Sequence, residues 1–111
     1  MSDGTNVPLG VLEEQILVAV LRTAADAYGM EVRREIERVT ARDLAIGAVY
    51  ATLDRLEAKG LLRSRRTFGT GPSRRRFELT RAGARALTDT RAMRQRLWAG
   101  VSVAELEGMA Y

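Results

Sequence analysis

Leu9, Leu12, Ile16, Val20 and Ala24 stand three or four residues apart with Glu13 and Glu14 between them, which predicts an amphipathic helix over 9–24. Asp26-Ala27-Tyr28-Gly29 interrupts the period. It resumes from Met30 to Val39, where Val32, Ile36 and Val39 fall among Arg33, Arg34, Glu35 and Glu37, predicting a short second helix with a charged outer face. After a turn at Thr40–Leu44, Val49, Leu53 and Leu56 repeat at spacings of four and three. Gly60 stands where a left-handed C-terminal cap belongs, so a third helix is predicted from Ile46 to Lys59.

Beyond Gly60 the period drops to two. Phe77 and Leu79 alternate with Arg76 and Glu78, and strands are predicted at Leu61–Phe68 and Arg74–Thr80 around the turn Gly69-Thr70-Gly71-Pro72-Ser73. From Arg81 the pattern is helical again. Ala86, Leu87, Thr90, Met93, Leu97 and Trp98 form a wide apolar stripe on an Arg-rich segment, and so small a chain offers it no evident partner. Gly100 breaks this helix, and Ser102 with Glu105 fits a capping box opening a last short helix. Three short helices followed by a hairpin make the winged-helix pattern, a mainly α, α+β fold with a helix-turn-helix core and a two-stranded wing. The chain divides into that unit at 1–80 and a C-terminal helical segment at 81–111.

A length of 111 residues with 46% hydrophobic side chains suits one packed core. The chain has neither Cys nor His, which excludes disulfides, a zinc finger, thiol redox sensing and any Ser-His or Cys-His catalytic pair. No metal, cofactor or catalytic constellation is implied, and an enzyme working through Asp, Glu, Arg and Tyr alone is the remote alternative. The opening MSDGTNVPLG is polar and no apolar run approaches the ~18 residues of a membrane span, so a cytoplasmic protein with no membrane association is expected.

Charge sharpens the picture through its distribution. The net charge is +4, yet residues 1–60 carry 7 basic and 10 acidic side chains whereas residues 61–80 carry 6 and 1. All but one of the 18 basic residues are Arg, whose planar fork suits phosphates and guanine edges, although a GC-rich genome also favours Arg. Arg63, Arg65, Arg66, Arg74, Arg75 and Arg76 fall on the predicted hairpin with no acid among them. A charge run is ordinarily a solvated face. Directly after a candidate recognition helix, this one points to nucleic acid, with double-stranded DNA as the partner. Projecting the third helix from Val49 turns Ala48, Ala51, Thr52 and Arg55 away from the core, where Arg55 can pair with guanine, Thr52 with a base or phosphate, and the alanines with a thymine methyl. The same four positions also read as ordinary solvent-facing residues.

Gly47-Ala48-Val49-Tyr50-Ala51-Thr52-Leu53-Asp54-Arg55-Leu56-Glu57-Ala58-Lys59-Gly60-Leu61 resembles the PadR pattern G-x-V-Y-x-T-L-x-R-L-E-x-x-G-L. Ala27-Tyr28-Gly29-Met30-Glu31-Val32 is similar to that family's Y-G-x-x-I element, Arg74-Arg75-Arg76-Phe77 to its basic-aromatic wing, and Leu79-Thr80-Arg81-Ala82-Gly83 to its L-T-x-x-G entry into the last helix. The likeness runs from about Leu9 to Leu87. It implies a dimeric transcriptional repressor whose third helices and wings hold a palindromic operator, and which in some members answers to small aromatic or lipophilic ligands. The implied DNA contacts are Ala48, Tyr50, Ala51, Thr52 and Arg55 on the recognition helix and Arg65, Arg66, Arg74, Arg75 and Arg76 on the wing. Tyr28 matches a family tyrosine expected near phosphate, with packing between helices as its other reading. Residues 81–111 become a dimerisation helix with a short tail helix, and Leu87, Met93, Leu97 and Trp98 become the homodimer interface or the lining of an aromatic-ligand pocket. Two departures stand out: Ala45-Ile46 precede the third helix where family members often carry Ser or Thr, and Gly71-Pro72-Ser73 occupies the wing turn where G-G-R is common. A winged helix that docks an acidic protein or RNA is the other expectation.

Overall fold

The computed structural model describes residues 9–67 and 74–111. Among the described residues, five α-helices and one antiparallel hairpin follow in the order α1 Val11–Thr23, α2 Gly29–Thr40, α3 Ile46–Ala58, β1 Leu62–Thr67, β2 Arg74–Leu79, α4 Arg81–Trp98 and α5 Val103–Ala110, with a 3-10 turn at Ala24–Asp26 after α1. The architecture is the winged helix expected from the periodicity. The predicted turn Gly69–Ser73 and the end of the first predicted strand, Phe68, lie outside the described residues.

Each helix of the core buries its apolar face. Ile16, Leu17, Ala19 and Val20 of α1, Val32 and Ile36 of α2, and Val49, Leu53 and Leu56 of α3 meet Ala27, Leu62 and Phe77, all less than 5% exposed. Burying each large apolar side chain contributes about 1.5–3 kcal/mol, so this cluster is what orients α3. The hairpin pairs Leu62 with Leu79, Ser64 with Phe77 and Arg66 with Arg75, and alternation puts these six on its inner face. Leu62 and Phe77 carry that face into the core. On the outer edge of β2, Phe77 N–H donates to the Ala27 carbonyl at 2.9 Å, which adds the segment before α2 to the sheet edge.

Element ends follow local chemistry. The Gly10 N–H donates to Glu13 Oε1 at the start of α1 (2.9 Å), and α3 stops at Lys59 followed by Gly60 in the left-handed region (φ 80°). Thr80 caps α4 by accepting from Gly83 N–H (3.0 Å) while its hydroxyl donates to the Gly60 carbonyl (2.6 Å), and its own N–H donates to Leu61 O (3.2 Å). One threonine thus ties the end of α3, the hairpin and the start of α4. Ser102 accepts from Glu105 N–H (3.1 Å) and opens α5 where the sequence places it.

The apolar stripe of α4 divides. Leu87 packs on the chain's own core and Thr90 is buried, receiving Leu9 N–H at 3.4 Å, which corrects the expectation that the whole stripe lacks a partner. Arg94 adds an ion pair with Glu14 at 2.5 Å. Met93 is half-buried, and beyond it Leu97 (71% exposed) and Trp98 (52%) face outward. All eight residues of α5 are exposed.

Candidate nucleic-acid interface

The outer face of α3 begins with small residues. Gly47, Ala48 and Ala51 are exposed together with Tyr50, so the backbone of the first two turns lies open. Ala45 occupies the N-cap position with extended backbone (ψ 129°) and offers no side-chain acceptor to the first amides. Tyr50 lies across Gly29, where an added Cβ would collide with the phenol ring; the glycine is what lets the ring approach the first turn of α2.

Tyr50, the first turn of α2 and the hairpin enclose a cleft of about 580 Å³ lined by Tyr28, Gly29, Arg34, Arg66, Arg74 and Arg75, among others. Arg74 stacks over the Tyr28 ring, its guanidinium carbon 3.9 Å from the centroid. Tyr28 is half-buried and is the platform for a wing arginine. Arg34 reaches back to Glu31 at 2.7 Å on the same helix. The N-terminus of α2, which has no side-chain cap, opens into this basic, aromatic-lined space.

Several expected contact residues are otherwise engaged. Thr52 is only 2% exposed and its hydroxyl donates to the Ala48 carbonyl at 2.8 Å, so the expectation that it faces DNA is corrected. The buried face of α3 is wider than one stripe because the helix packs against three elements, α1, α2 and β1. Arg55, with a half-exposed side chain, donates to Thr52 Oγ1 (3.3 Å) and lies 3.9 Å from Glu13 Oε2, which also receives Lys59 Nζ at 2.7 Å. The Lys59 hydrogen bond, joined by the Gly10 N–H, holds the Glu13 carboxyl below the usual carboxylate range.

On the hairpin, Arg75 is bound by Asp54 (2.6 Å) and Glu57 (3.2 Å) of α3, and lies over Phe77. Arg76 is mostly buried, 3.8 Å from Glu78, and its Nε has no hydrogen-bond partner among the described residues. Arg63 donates to Glu78 at 3.0 Å, which lowers the Glu78 pKa. Among the described residues of the hairpin, Arg63, Arg65, Arg66 and Arg74 are the exposed arginines. Sequence reasoning put all of these arginines on one charged hairpin but had no means of seeing that acids elsewhere in the chain would neutralise some of them.

Comparison with known proteins places the chain by family and by fold. Transcriptional regulator Rv3488 of Mycobacterium tuberculosis is 40% identical over 74 residues, covering 65% of this chain and 68% of that protein. RosR of H. salinarum has the same fold, with a TM-score of 0.70 at 22% identity over 97% of this chain and 94% of that one. A PadR family transcriptional regulator from Eggerthella lenta superposes with a TM-score of 0.61 at 25% identity over 82% and 84% of the two chains. Residues 16–89, from the middle of α1 to the middle of α4, match the transcriptional regulator PadR-like family, and the chain belongs to that family.

Proposed function

We propose that this transcriptional regulator is a sequence-specific repressor that binds duplex DNA through α3 and the wing. The observation that carries this reading is the cleft where Tyr28, Tyr50, Arg34, Arg66 and Arg74 surround the start of α2, directly beside the small-residue face of α3. Arginines and an uncapped helix N-terminus suit phosphate oxygens, whereas Gly47, Ala48 and Ala51 allow base edges to approach. Tyr50, Arg65, Arg66 and Arg74 are assigned to the backbone, and Ala48, Ala51 and Arg55 to base readout.

The operator would be palindromic and the protein a homodimer, with recognition helices ~34 Å apart or a multiple of it. Leu97 and Trp98 on α4, Val101 in the turn after it, and Val103 and Met109 on α5 are large and exposed, which favours self-association through residues 81–111. A gap between paired Trp98 rings would admit a flat aromatic or lipophilic effector that releases the operator. Selection of bound duplexes from a random pool, followed by affinity measurements over a range of salt, tests the reading. A recovered inverted repeat with a steep salt dependence is the expected result, and equal affinity for RNA, mixed-sequence duplex and the selected site would refute it.

A further inference from the structure

We propose that Glu57 is a positioning residue for DNA binding, which sets the wing against the recognition helix, and that Arg75 is its internal tie and not a phosphate ligand. The inference rests on the DNA reading above. Glu57 Oε2 accepts both the backbone N–H (3.0 Å) and the hydroxyl (2.7 Å) of Ser64 on β1, while Oε1 accepts Arg75 Nη1 (3.2 Å) from β2. A single carboxylate therefore holds both strands. One turn earlier on the same side of α3, Asp54 Oδ1 takes the other end of the fork, Arg75 Nη2, at 2.6 Å.

The location explains what the tie does. Along the inner face of the hairpin the apolar pairs end at Ser64–Phe77, and the next pair outward is Arg66–Arg75. Past Phe77 the described residues of that face are polar, with Arg74 beside them resting on the Tyr28 ring, and a two-stranded ribbon alone is marginal. Asp54 and Glu57 grip that outer part from the recognition helix, and the Arg75 guanidinium also lies over the buried Phe77 ring, 5.0 Å from the centroid. Arg66 and Arg74, which line the cleft, ride on the strands so held.

The sign of a substitution separates this from simple electrostatics. Glu57 carries negative charge on the side meant to face a polyanion, so its neutralisation strengthens binding if charge alone matters. Under the present inference Glu57→Gln, which keeps an acceptor for Ser64 but loses the hold on Arg75, weakens binding to the selected duplex about tenfold, in line with loss of a charged hydrogen bond. Arg75→Gln should weaken it comparably while leaving the slope of log affinity against log salt unchanged; a lost phosphate contact instead lowers that slope by about 0.9. Tighter binding by Glu57→Gln, or a reduced slope for Arg75→Gln, overturns the inference. Should Glu57→Gln fail to fold, the Arg75→Gln slope decides alone. A wild-type chain indifferent to duplex DNA would instead overturn the DNA reading itself, and this inference with it.

Discussion

Gly83 is the position where the structure makes its most exacting demand on α4. A Cβ built there would sit well inside contact distance of the Leu61 carbonyl oxygen, 3.1 Å from its carbon and 2.7 Å from Leu79 Cδ1. The Leu61 oxygen cannot yield, because it already accepts Thr80 N–H and belongs to the corner where α3 turns into the hairpin. In an unobstructed helix Gly→Ala stabilises by about 0.5–1 kcal/mol through reduced backbone entropy. Here overpacking costs about 1–3 kcal/mol or more, since α4 must lift off the corner. The expected balance for Gly83→Ala is a loss of about 2 kcal/mol, and at roughly 4–8 °C per kcal/mol for a domain near this size the melting temperature should fall by about 8–16 °C. Gly47→Ala is the matched control, because nothing lies within 4 Å of its added Cβ in α3. Melting followed by circular dichroism at fixed protein concentration measures both. A Gly83→Ala protein as stable as wild type, or stabilised like the control, would refute the close approach of α4 to the corner.

Ala45→Ser should stabilise α3 by about 0.5–2 kcal/mol by supplying the missing cap, and an unchanged melting temperature would show that the helix does not begin at Ile46. Arg55→Ala should weaken binding to a selected duplex by about 1–3 kcal/mol while sparing mixed-sequence duplex; equal losses on both would remove Arg55 from base readout. Trp98 should be covered in a homodimer, with blue-shifted emission that moves red on dilution as the copies part, since a Trp buries about 150–250 Å² in a packed interface. Solvent-like emission independent of dilution would place the interface elsewhere.

Much of the fold was legible along the chain because it is written in short-range periods. Val49, Leu53 and Leu56 name the core face of α3, Gly60 marks its end, and Ser102 marks the start of α5; each depends only on neighbours within a turn or two. The family resemblance rests on the same local strings. The long-range pairing of side chains does not. Thr52 is buried because α1, α2 and β1 all pack on α3, so a projection from one apolar stripe underestimates the width of the covered face. The run Arg74-Arg75-Arg76 is uniform in sequence, yet Arg74 stacks on Tyr28, Arg75 is clasped by Asp54 and Glu57, and Arg76 sinks beside Glu78. Local spacing determines which residues share a face. Which charge meets which, and so which arginines remain to face a ligand, is decided only when the hairpin folds back onto α3, because Coulomb and hydrogen-bond partners depend on distance in space.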